Sequence, residues 1–322
     1  MNSFIAPKFR DCLLKSFGVM ITHTMSNAKA QKQVFESLIE IIRKTSTELP
    51  GDVIRAVEKG KSAESPNSSA AYAMNIICQN IDLAKVKSQP LCQDTGTVIF
   101  YAYYPKKWDY SVVHKLIEKA VSAATKKGYL RQNSVNSLTG KNSGTNVGPG
   151  APYVHCEAWA KDEFEFKVML KGGGCENVGA QYSLPDGRIG AGRDLKGVRK
   201  CILDAVYQAQ GKGCGPGILG VCVGGDRASG FVHSKEQFLR KLDDKNKIKE
   251  LAELEEQMVK EANELGIGPM GFGGKTTLMG CKIGALDRVP ASFFVSVSYM
   301  CWAYRRQGAK LDKAGKIQKW LY

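Results

Sequence analysis

The spacing of apolar residues divides the chain into a helical first part and a later part that mixes helices with strands. Between residues 32 and 44, apolar side chains recur every three or four positions, which predicts an amphipathic helix. Segments 52–58 and 65–81 also favour helices, and Pro66 takes a first-turn position, where helices tolerate proline. We therefore expect helices to lead the chain to its first strand.

Short apolar runs and alternating segments predict the strands. A continuous apolar run at 97–103 indicates a buried strand. Segments 152–160 and 163–170 alternate apolar and polar side chains on either side of Asp162, which predicts a hairpin. Further strands are predicted at 218–223, 278–285 and 292–299.

Three later segments, 110–126, 194–210 and 237–265, carry helical periodicity. The last of them is long and charged and offers only one apolar stripe, so we expect it to be exposed to solvent. The whole pattern predicts a mixed α/β fold of the α+β kind. In this fold a helical N-terminal part is followed by mixed sheets packed with helices.

The bulk composition is that of an ordinary globular protein, with 322 residues, 43% of them hydrophobic and 24% charged. No run approaches the length of about 18 apolar residues that a membrane span needs, so no span is expected. The net charge of +15 attracts anions, nucleic acid included. No stretch interleaves basic and aromatic residues as a recognition motif does. A solvated basic surface is therefore the favoured interpretation, and nucleic-acid binding is not expected.

Both ends of the chain differ from its middle. Residues 1–28 are basic and acid-poor and contain Ser and Thr, which fits either an ordinary extension or an organelle transit peptide. No repeat, low-complexity block or linker divides residues 29–310, which are predicted to form one domain. Residues 311–322 are interpreted as a basic C-terminal tail. The expected compartment is the cytoplasm, or a mitochondrion-related organelle if the first segment is a transit peptide.

The candidate chemistry is concentrated in a loop before the first strand. Residues 92–96 read Cys-Gln-Asp-Thr-Gly and place a thiol, an amide, a carboxylate and a hydroxyl in a row. The ten cysteines include no Cys-x-x-Cys pair, which argues against a zinc ribbon. Thiolates far apart in sequence can still converge, so Cys92, Cys214 and Cys301 are candidates to hold an iron–sulfur cluster. The cysteines that stay open as alternative ligands are Cys175, Cys222 and Cys281.

Two other segments have the composition of anion sites. Three consecutive glycines at 172–174 follow a predicted strand and can offer backbone N–H groups to an anion. The loop at 139–146 is rich in polar residues and glycine and has the same potential use. For this second loop a plain surface role is the favoured interpretation.

These motifs together resemble one family. From about residue 30 to residue 310, the chain is similar to the alpha subunit, or N-terminal catalytic domain, of the class I iron–sulfur hydro-lyases. These are the class I fumarate hydratases and the L-tartrate dehydratases. The segments that carry the resemblance are 92–96, 171–174, 214–216, 266–269 and 301–303, in the family's order and with similar separations.

The resemblance implies a [4Fe–4S] cluster on Cys92, Cys214 and Cys301, with one iron left without a protein ligand. Such an iron is a Lewis acid that can hold a substrate carboxylate and hydroxyl. The implied reaction is the reversible hydration of fumarate, a small dicarboxylate, to malate.

The resemblance also implies roles for four residues around the cluster. Asp94, two residues after a cluster ligand, is the candidate acid–base group. Gln93, Arg131 and Gly172 match positions that contact substrate in the family. For Arg131 this role suits the chemistry, because a guanidinium binds a carboxylate through its bidentate fork.

Two departures from the family pattern change what we expect. Many relatives carry a His twelve residues before the third cysteine, where this chain has Val289, so no role of that His is carried over. The family's smaller domain, which supplies further catalytic residues, does not follow within the 322 residues. We therefore expect either a separate beta-type subunit to complete the site, in a hetero-oligomer or dimer, or a chain that is not an active enzyme by itself.

The substrate and the class of function have alternatives. Glu176 and Asn177, after the glycines, favour the fumarate branch over an L-tartrate dehydratase alpha subunit. A different class would be a non-catalytic, cluster-bearing protein that uses its positive charge to bind nucleic acid or to sense iron. The three cysteines, kept together with Asp94 and Arg131, speak against that second class.

Overall fold

The computed structural model describes residues 28–322, so almost all of the predicted N-terminal extension lies outside the described residues. Within this part, two mixed β-sheets are packed with helices, which confirms the predicted mixed α/β fold. None of the described helices combines the length and the apolar character that a membrane span requires.

Helices occupy most of the segments where apolar periodicity predicts them. Residues 28–47 form α1. The other helices are α2 (Gly51–Ala63), α3 (Ser69–Lys87), α4 (Tyr110–Lys126), α5 (Gly173–Asn177), α6 (Leu195–Ala209), α7 (Arg227–Glu236) and α8 (Lys249–Glu264). The side chains of Ser68, Asp109 and Asp194 accept hydrogen bonds from N–H groups of the first turns of α3, α4 and α6. These caps explain why the three helices begin where they do.

The strands form two sheets. They are β1 (Thr97–Pro105), β2 (Tyr153–Trp159), β3 (Phe164–Lys171), β4 (Ala180–Ser183), β5 (Gly217–Gly224), β6 (Leu278–Leu286), β7 (Phe294–Met300), β8 (Arg306–Leu311) and β9 (Ile317–Trp320). The first sheet has the order β2-β1-β3-β8-β9, and the second has the order β4-β7-β5-β6.

β1 is apolar throughout because both of its faces are covered. Phe100 and Ala102 point into a core shared with α1 and α4. Ile99 and Tyr101 point into a second core, shared with α2, α3 and the four-stranded sheet. The continuous apolar run of the sequence therefore marks a strand buried on both sides, as predicted.

β2 and β3 are both present, but the predicted hairpin between them is wrong. β1 lies between them: β2 pairs with one edge of β1 in parallel, and β3 pairs with the other edge antiparallel. α4 provides the long crossover that a parallel β1–β2 pair needs. Alternation along 152–170 identifies each strand correctly but carries no information on which neighbour it pairs with.

The helix predicted over 237–265 begins later, at Lys249, because the residues before it fold back on it. Arg240 pairs with Asp244 at 2.9 Å and with Glu255 of α8 at 2.7 Å. One face of α8 packs on β6, so the predicted exposure to solvent applies only to its outer side.

Residues 311–322, interpreted from the sequence as a basic tail, are built into the first sheet. β9 pairs antiparallel with β8 and forms the edge of that sheet. The Nζ atom of Lys44 lies 4.1 Å from the centre of the Trp320 ring. The hydroxyl of Tyr322 donates a hydrogen bond of 2.6 Å to the carbonyl of Leu239.

A buried ion pair between Asp52 and Arg306 connects α2 to β8. We expect Asp52→Asn to lower the free energy of unfolding by about 3–5 kcal/mol. Their side chains are 4% and 0% exposed and lie 2.5 Å apart, so the variant leaves a buried charge without its partner. Urea unfolding at neutral pH measures the loss. The exposed pair of Arg55 and Asp243 is the matched control, because Asp243→Asn should cost at most about 1 kcal/mol. Equal losses in the two variants would contradict the prediction.

The same pair gives stability a pH dependence of known sign. Burial opposes ionisation of Asp52, but the charge of Arg306 and the N–H of Leu242 outweigh it and lower the pKa of the carboxyl. The stabilisation is therefore complete above the carboxyl's unfolded pKa and is lost as the pH falls through the lower, folded value. Asp52→Asn should remove this part of the acid sensitivity.

Candidate functional site

The five-stranded sheet brings two predicted site segments to one end. β1 begins at Thr97 opposite Lys171, the last residue of β3, because the two strands are antiparallel. The loop that carries Cys92 and Asp94 therefore lies beside the glycines that follow β3. β8 begins at the same end, with Arg306 opposite Met169.

The four-stranded sheet brings the other two cysteines to the same region. β5 begins where β7 ends, with Ile218 opposite Met300, so Cys214 before β5 and Cys301 after β7 are neighbours. The N–H of Trp302 donates to the carbonyl of Cys214 at 3.2 Å. The site thus lies where the chain crosses between the sheets, through residues 301–305 and through α5.

The loop of residues 92–96 and the preceding Leu91 are held by contacts with several other segments. Two of them hold Leu91: its N–H donates to the carbonyl of Ser46, and its own carbonyl accepts from the amide of Asn80 at 2.8 Å. On the other side, the guanidinium of Arg305 donates to the carbonyl of Asp94 at 2.8 Å. The N–H of Gly173, at the start of α5, donates to Oδ2 of Asp94 at 2.7 Å. The acid–base candidate is therefore held both by its backbone and by its carboxylate.

Two asparagines position the part of the site that carries Arg131. The amide oxygen of Asn133 accepts from the N–H groups of Thr95 and Gly96, at 3.1 and 2.9 Å. The buried Asn146 accepts from the N–H of Asn133 and donates to the carbonyl of Arg131 at 2.6 Å. Arg131 itself is exposed, and its guanidinium makes no hydrogen bond or ion pair with another residue of the described part. It is free to take an external carboxylate.

The thiols around this site interact with one another. Burial raises the pKa of Cys214, and the neighbouring thiols of Cys92 and Cys175 raise it further. A hydrogen bond between Cys175 and Cys301 lowers the pKa of Cys175 to about 6 and raises that of Cys301 well above its usual value. The thiols of Cys92, Cys175, Cys214 and Cys301 therefore lie in one region of the structure, and the role of Cys92, Cys214 and Cys301 as cluster ligands stays a prediction.

The other two alternative ligands lie elsewhere. Cys222 is in the middle of β5 and Cys281 in β6, both buried in the four-stranded sheet. Burial raises the pKa of Cys222 to about 12 and raises that of Cys281 also. Val289 is 65% exposed in the loop between β6 and β7, and Gln93 is exposed on the site loop.

The glycines at 172–174 form the start of a short helix rather than an open loop, and a buried lysine holds that helix in place. Nζ of Lys171 is 2.9 Å from the Glu176 carboxylate and donates to the carbonyls of Cys175 and Tyr299, at 3.0 and 2.9 Å. Glu176 also pairs with Lys235 at 2.6 Å. Its carboxylate is therefore committed to the fold, and its value as a marker of the fumarate branch stays a prediction.

The donor set fits an iron–sulfur cluster better than a single metal ion. In residues 28–322, no group of three or more His, Cys, Asp or Glu side chains converges on one ion. A cluster does not require such convergence, because each thiolate binds a different iron. The buried Nε of Arg305, close to these thiols, has no hydrogen-bond acceptor. Soft thiol donors with an unsatisfied cation beside them match an anionic, sulfide-containing group.

Three residues that hold the candidate site in place give no clear signal in the sequence, for different reasons. Asn133 and Asn146 form hydrogen bonds with backbone groups of the site. Single polar residues within a polar loop form no sequence motif, so the sequence does not distinguish them. The positive φ of Asn146, 58°, is one that asparagine tolerates better than most residues, but the sequence does not show it. Arg305 follows Cys301 closely and is basic, which is the only signal that could have found it.

We expect Gly172→Ala to reduce kcat/KM of the complete enzyme roughly 10²-fold, the usual cost of misplacing a catalytic group by about 1 Å. A Cβ at Gly172 would lie 2.9 Å from Oδ2 of Asp94, so the carboxylate has to move. Gly187→Ala is the control, because no heavy atom lies within 4 Å of its added Cβ. Steady-state assays at matched iron content measure the effect, and equal activity in both variants would contradict it.

The comparison with protein families agrees with the geometry. A family model described as fumarate hydratase (Fumerase) matches residues 35–310, a span that contains all of the predicted site residues. The match covers more than half of the chain. The chain belongs to the fumarate hydratase family, and the resemblance seen in the sequence is confirmed.

Three relatives show how much of a longer protein the chain represents. A putative class I fumarate hydratase of Geobacillus stearothermophilus is 52% identical over 295 residues, which are 90% of this chain and 57% of the relative. A putative L(+)-tartrate dehydratase subunit alpha of Methanocaldococcus jannaschii is 32% identical over 88% of this chain and 100% of its own length. The L(+)-tartrate dehydratase subunit alpha of Escherichia coli is 29% identical over 88% and 93%. The chain thus spans little more than half of the first relative and nearly all of two alpha subunits.

Proposed function

We propose that this chain is the cluster-bearing half of an iron–sulfur hydro-lyase that interconverts fumarate and malate. The observation that carries the proposal is that the segments with Cys92, Cys214 and Cys301 lie at one end of the two sheets, beside the tethered carboxylate of Asp94. The 52% identity to a putative class I fumarate hydratase, against 32% and 29% to tartrate dehydratase alpha subunits, supports fumarate over tartrate.

Three cysteines would hold the [4Fe–4S] cluster, one thiolate to each of three irons. When bound, the cluster supplies a Lewis-acidic iron that makes hydroxide a feasible leaving group. Cys92 and Cys214 approach the site on loops, and Cys301 approaches it on the crossing between the sheets.

The chain's own residues then bind the substrate and move the proton. Asp94 takes the proton from the carbon next to the hydroxyl-bearing carbon, and returns it in the hydration direction. The hydrogen bond from the N–H of Gly173 keeps the carboxylate oriented for this task. The exposed guanidinium of Arg131 binds a substrate carboxylate. The other candidate substrate contacts are Gln93, which is exposed, and Gly172, which lies next to the Asp94 carboxylate.

A beta-type subunit is proposed to complete the active site. The relatives named subunit alpha match this chain over almost their whole length, which supports a partner of the complementary kind. The Geobacillus relative extends well beyond the matched region, which supports a second module in the same enzyme.

The test is anaerobic reconstitution with iron and sulfide, with and without a co-expressed beta-type partner, followed by an assay of malate-to-fumarate conversion. Activity only with the partner is the expected result. A cluster with activity on tartrate but not on malate would transfer the proposal to L-tartrate dehydratase. Absence of a cluster after reconstitution would overturn the hydro-lyase assignment and favour a binding function, tested by salt-dependent binding to duplex DNA.

A further inference from the structure

Two adjacent arginines at the start of β8 are both buried, but only one has its charge compensated within the described protein. Arg306 pairs with Asp52 at 2.5 Å. Its guanidinium also lies 4.3 Å from the ring centre of Tyr304 and 4.7 Å from that of Tyr322. A carboxylate and two aromatic faces thus offset the cost of burying this cation.

Arg305 is 1% exposed and has no such compensation. Among residues 28–322, no carboxylate forms an ion pair with it and no aromatic ring lies against it. Its side chain makes a single hydrogen bond, from Nη1 to the carbonyl of Asp94 at 2.8 Å, and its Nε has no acceptor. A guanidinium keeps its proton in proteins, so the charge cannot be removed by titration. Burial of such an unpaired charge is costly unless an anion lies beside it.

The surroundings of Arg305 indicate where that anion would lie. Nη2 is 3.6 Å from the position that a Cβ at Gly172 would take, on the side of the Asp94 carboxylate. Arg305 ends the five-residue crossing that begins with Cys301, and its Nη1 donates to the carbonyl of Asp94, two residues after Cys92. The unsatisfied cation therefore lies between the segments that carry Cys92 and Cys301.

We infer that Arg305 supplies the counter-charge of an anionic iron–sulfur cluster held by Cys92, Cys214 and Cys301. The inference rests on the proposed function and adds to it a positioning residue that acts on the cluster's electrostatics. A cluster with thiolate and sulfide ligands is negatively charged, and nearby charge and hydrogen bonds to its sulfurs set its reduction potential. The same guanidinium holds the loop of Asp94, so one buried cation links the cluster to the acid–base group.

The test compares reconstituted wild type with Arg305→Gln and Arg305→Lys. The Gln variant is expected to lose its cluster to an iron chelator roughly tenfold faster or more, the usual size of an outer-shell effect on a metal site. Its reduction potential, measured by titration followed by electron paramagnetic resonance, should move to a more negative value because the reduced cluster loses a neighbouring cation. Arg305→Lys, which keeps the charge, should restore most of both properties.

Arg306→Lys is the matched control at the neighbouring buried position. This variant weakens the ion pair between Arg306 and Asp52. It is expected to lower the thermal unfolding midpoints of the apoprotein and of the cluster-loaded protein equally. The reduction potential of the cluster should not change. The apoprotein of Arg305→Gln should unfold no earlier than the wild-type apoprotein, because the variant removes a charge that only the cluster compensates.

Each remaining outcome overturns a defined part of the inference. Wild-type potential and wild-type chelator resistance in Arg305→Gln would show that the guanidinium does not act on the cluster, with the proposed function intact. An Arg305→Gln apoprotein that unfolds well below the wild-type apoprotein would assign Arg305 to the fold alone. Failure of the wild type to take up a cluster would overturn the proposed function and this inference together.

Discussion

Replacing Cys92, Cys214 or Cys301 with serine is expected to abolish the iron–sulfur cluster in each case. A serine hydroxyl is a hard, weakly acidic donor and replaces a thiolate poorly on iron. Three loops converge on one site here, and each contributes a single thiol, so no neighbouring residue of the same loop can substitute. After anaerobic reconstitution, the iron content, the sulfide content and the broad visible absorption should all fall to background.

Two further cysteines make this prediction selective. Cys78→Ser is the control, because Cys78 lies on α3 and outside the group of thiols that meet at the sheet junction. Cys175→Ser should also retain the cluster, although Cys175 touches Cys301. An intact cluster in any of the three ligand variants would contradict the assignment. Loss of the cluster in Cys175→Ser would add this thiol to the ligand set.

Asp94→Asn is expected to reduce kcat of the complete enzyme by roughly 10²–10⁴-fold, the usual contribution of general acid–base catalysis. The amide has nearly the same shape as the carboxylate, and its oxygen can still accept the hydrogen bond from the N–H of Gly173. It cannot accept a proton from substrate. The loss should therefore appear in kcat while the cluster content, measured as iron and sulfide, stays at the wild-type level.

Asp109→Asn provides the matched control for this loss. Asp109 also accepts a hydrogen bond from a backbone N–H, that of Ser111 at 2.7 Å, but it does so at the N-terminus of α4. Asparagine caps helices about as well as aspartate, so activity should be unchanged. Full activity in Asp94→Asn would move the acid–base role to another group, and loss of the cluster in that variant would make Asp94 a structural residue of the loop.

The cysteine variants test whether the chain binds the cluster, and Asp94→Asn tests proton transfer with the cluster in place. The cysteine variants remove the group on which the chemistry depends, whereas Asp94→Asn leaves that group in place and removes the proton acceptor. If the reconstituted wild type held no cluster, and Asp94→Asn lost activity while the three cysteine variants kept it, the protein would be a hydro-lyase of another kind. The four variants therefore test the site more sharply together than any one of them alone.

The sequence predicts site residues that carry recognisable chemistry, but it does not reveal residues whose part in the site depends on tertiary contacts. The sequence predicts Cys92 and Asp94 because their residue types carry chemistry in one short motif, and it predicts Arg131 and Gly172 because they match positions that contact substrate in the family; all four roles stay predictions. The sequence does not reveal Arg305, because the feature that marks it is structural: within the described residues its Nε has no hydrogen-bond acceptor and its guanidinium has no carboxylate partner. Asn146 was missed because it acts through the backbone of a distant segment, at Arg131 and Asn133.

The same division holds for the fold. Periodicity and apolar runs predicted six of the nine strands and most of the helices of the described residues, because amphipathic pattern is a local property of the chain; the strands β4, β8 and β9 were not predicted. Which strands are neighbours was decided only in three dimensions, where β1, apolar on both faces, lies between β2 and β3. The crossing of residues 301–305 between two sheets likewise follows from tertiary packing, since antiparallel registers bring the start of β1 and β5 to the ends of β3 and β7. The sequence by itself thus predicted which groups could do the chemistry, and the tertiary structure decided which of the segments that carry them are neighbours.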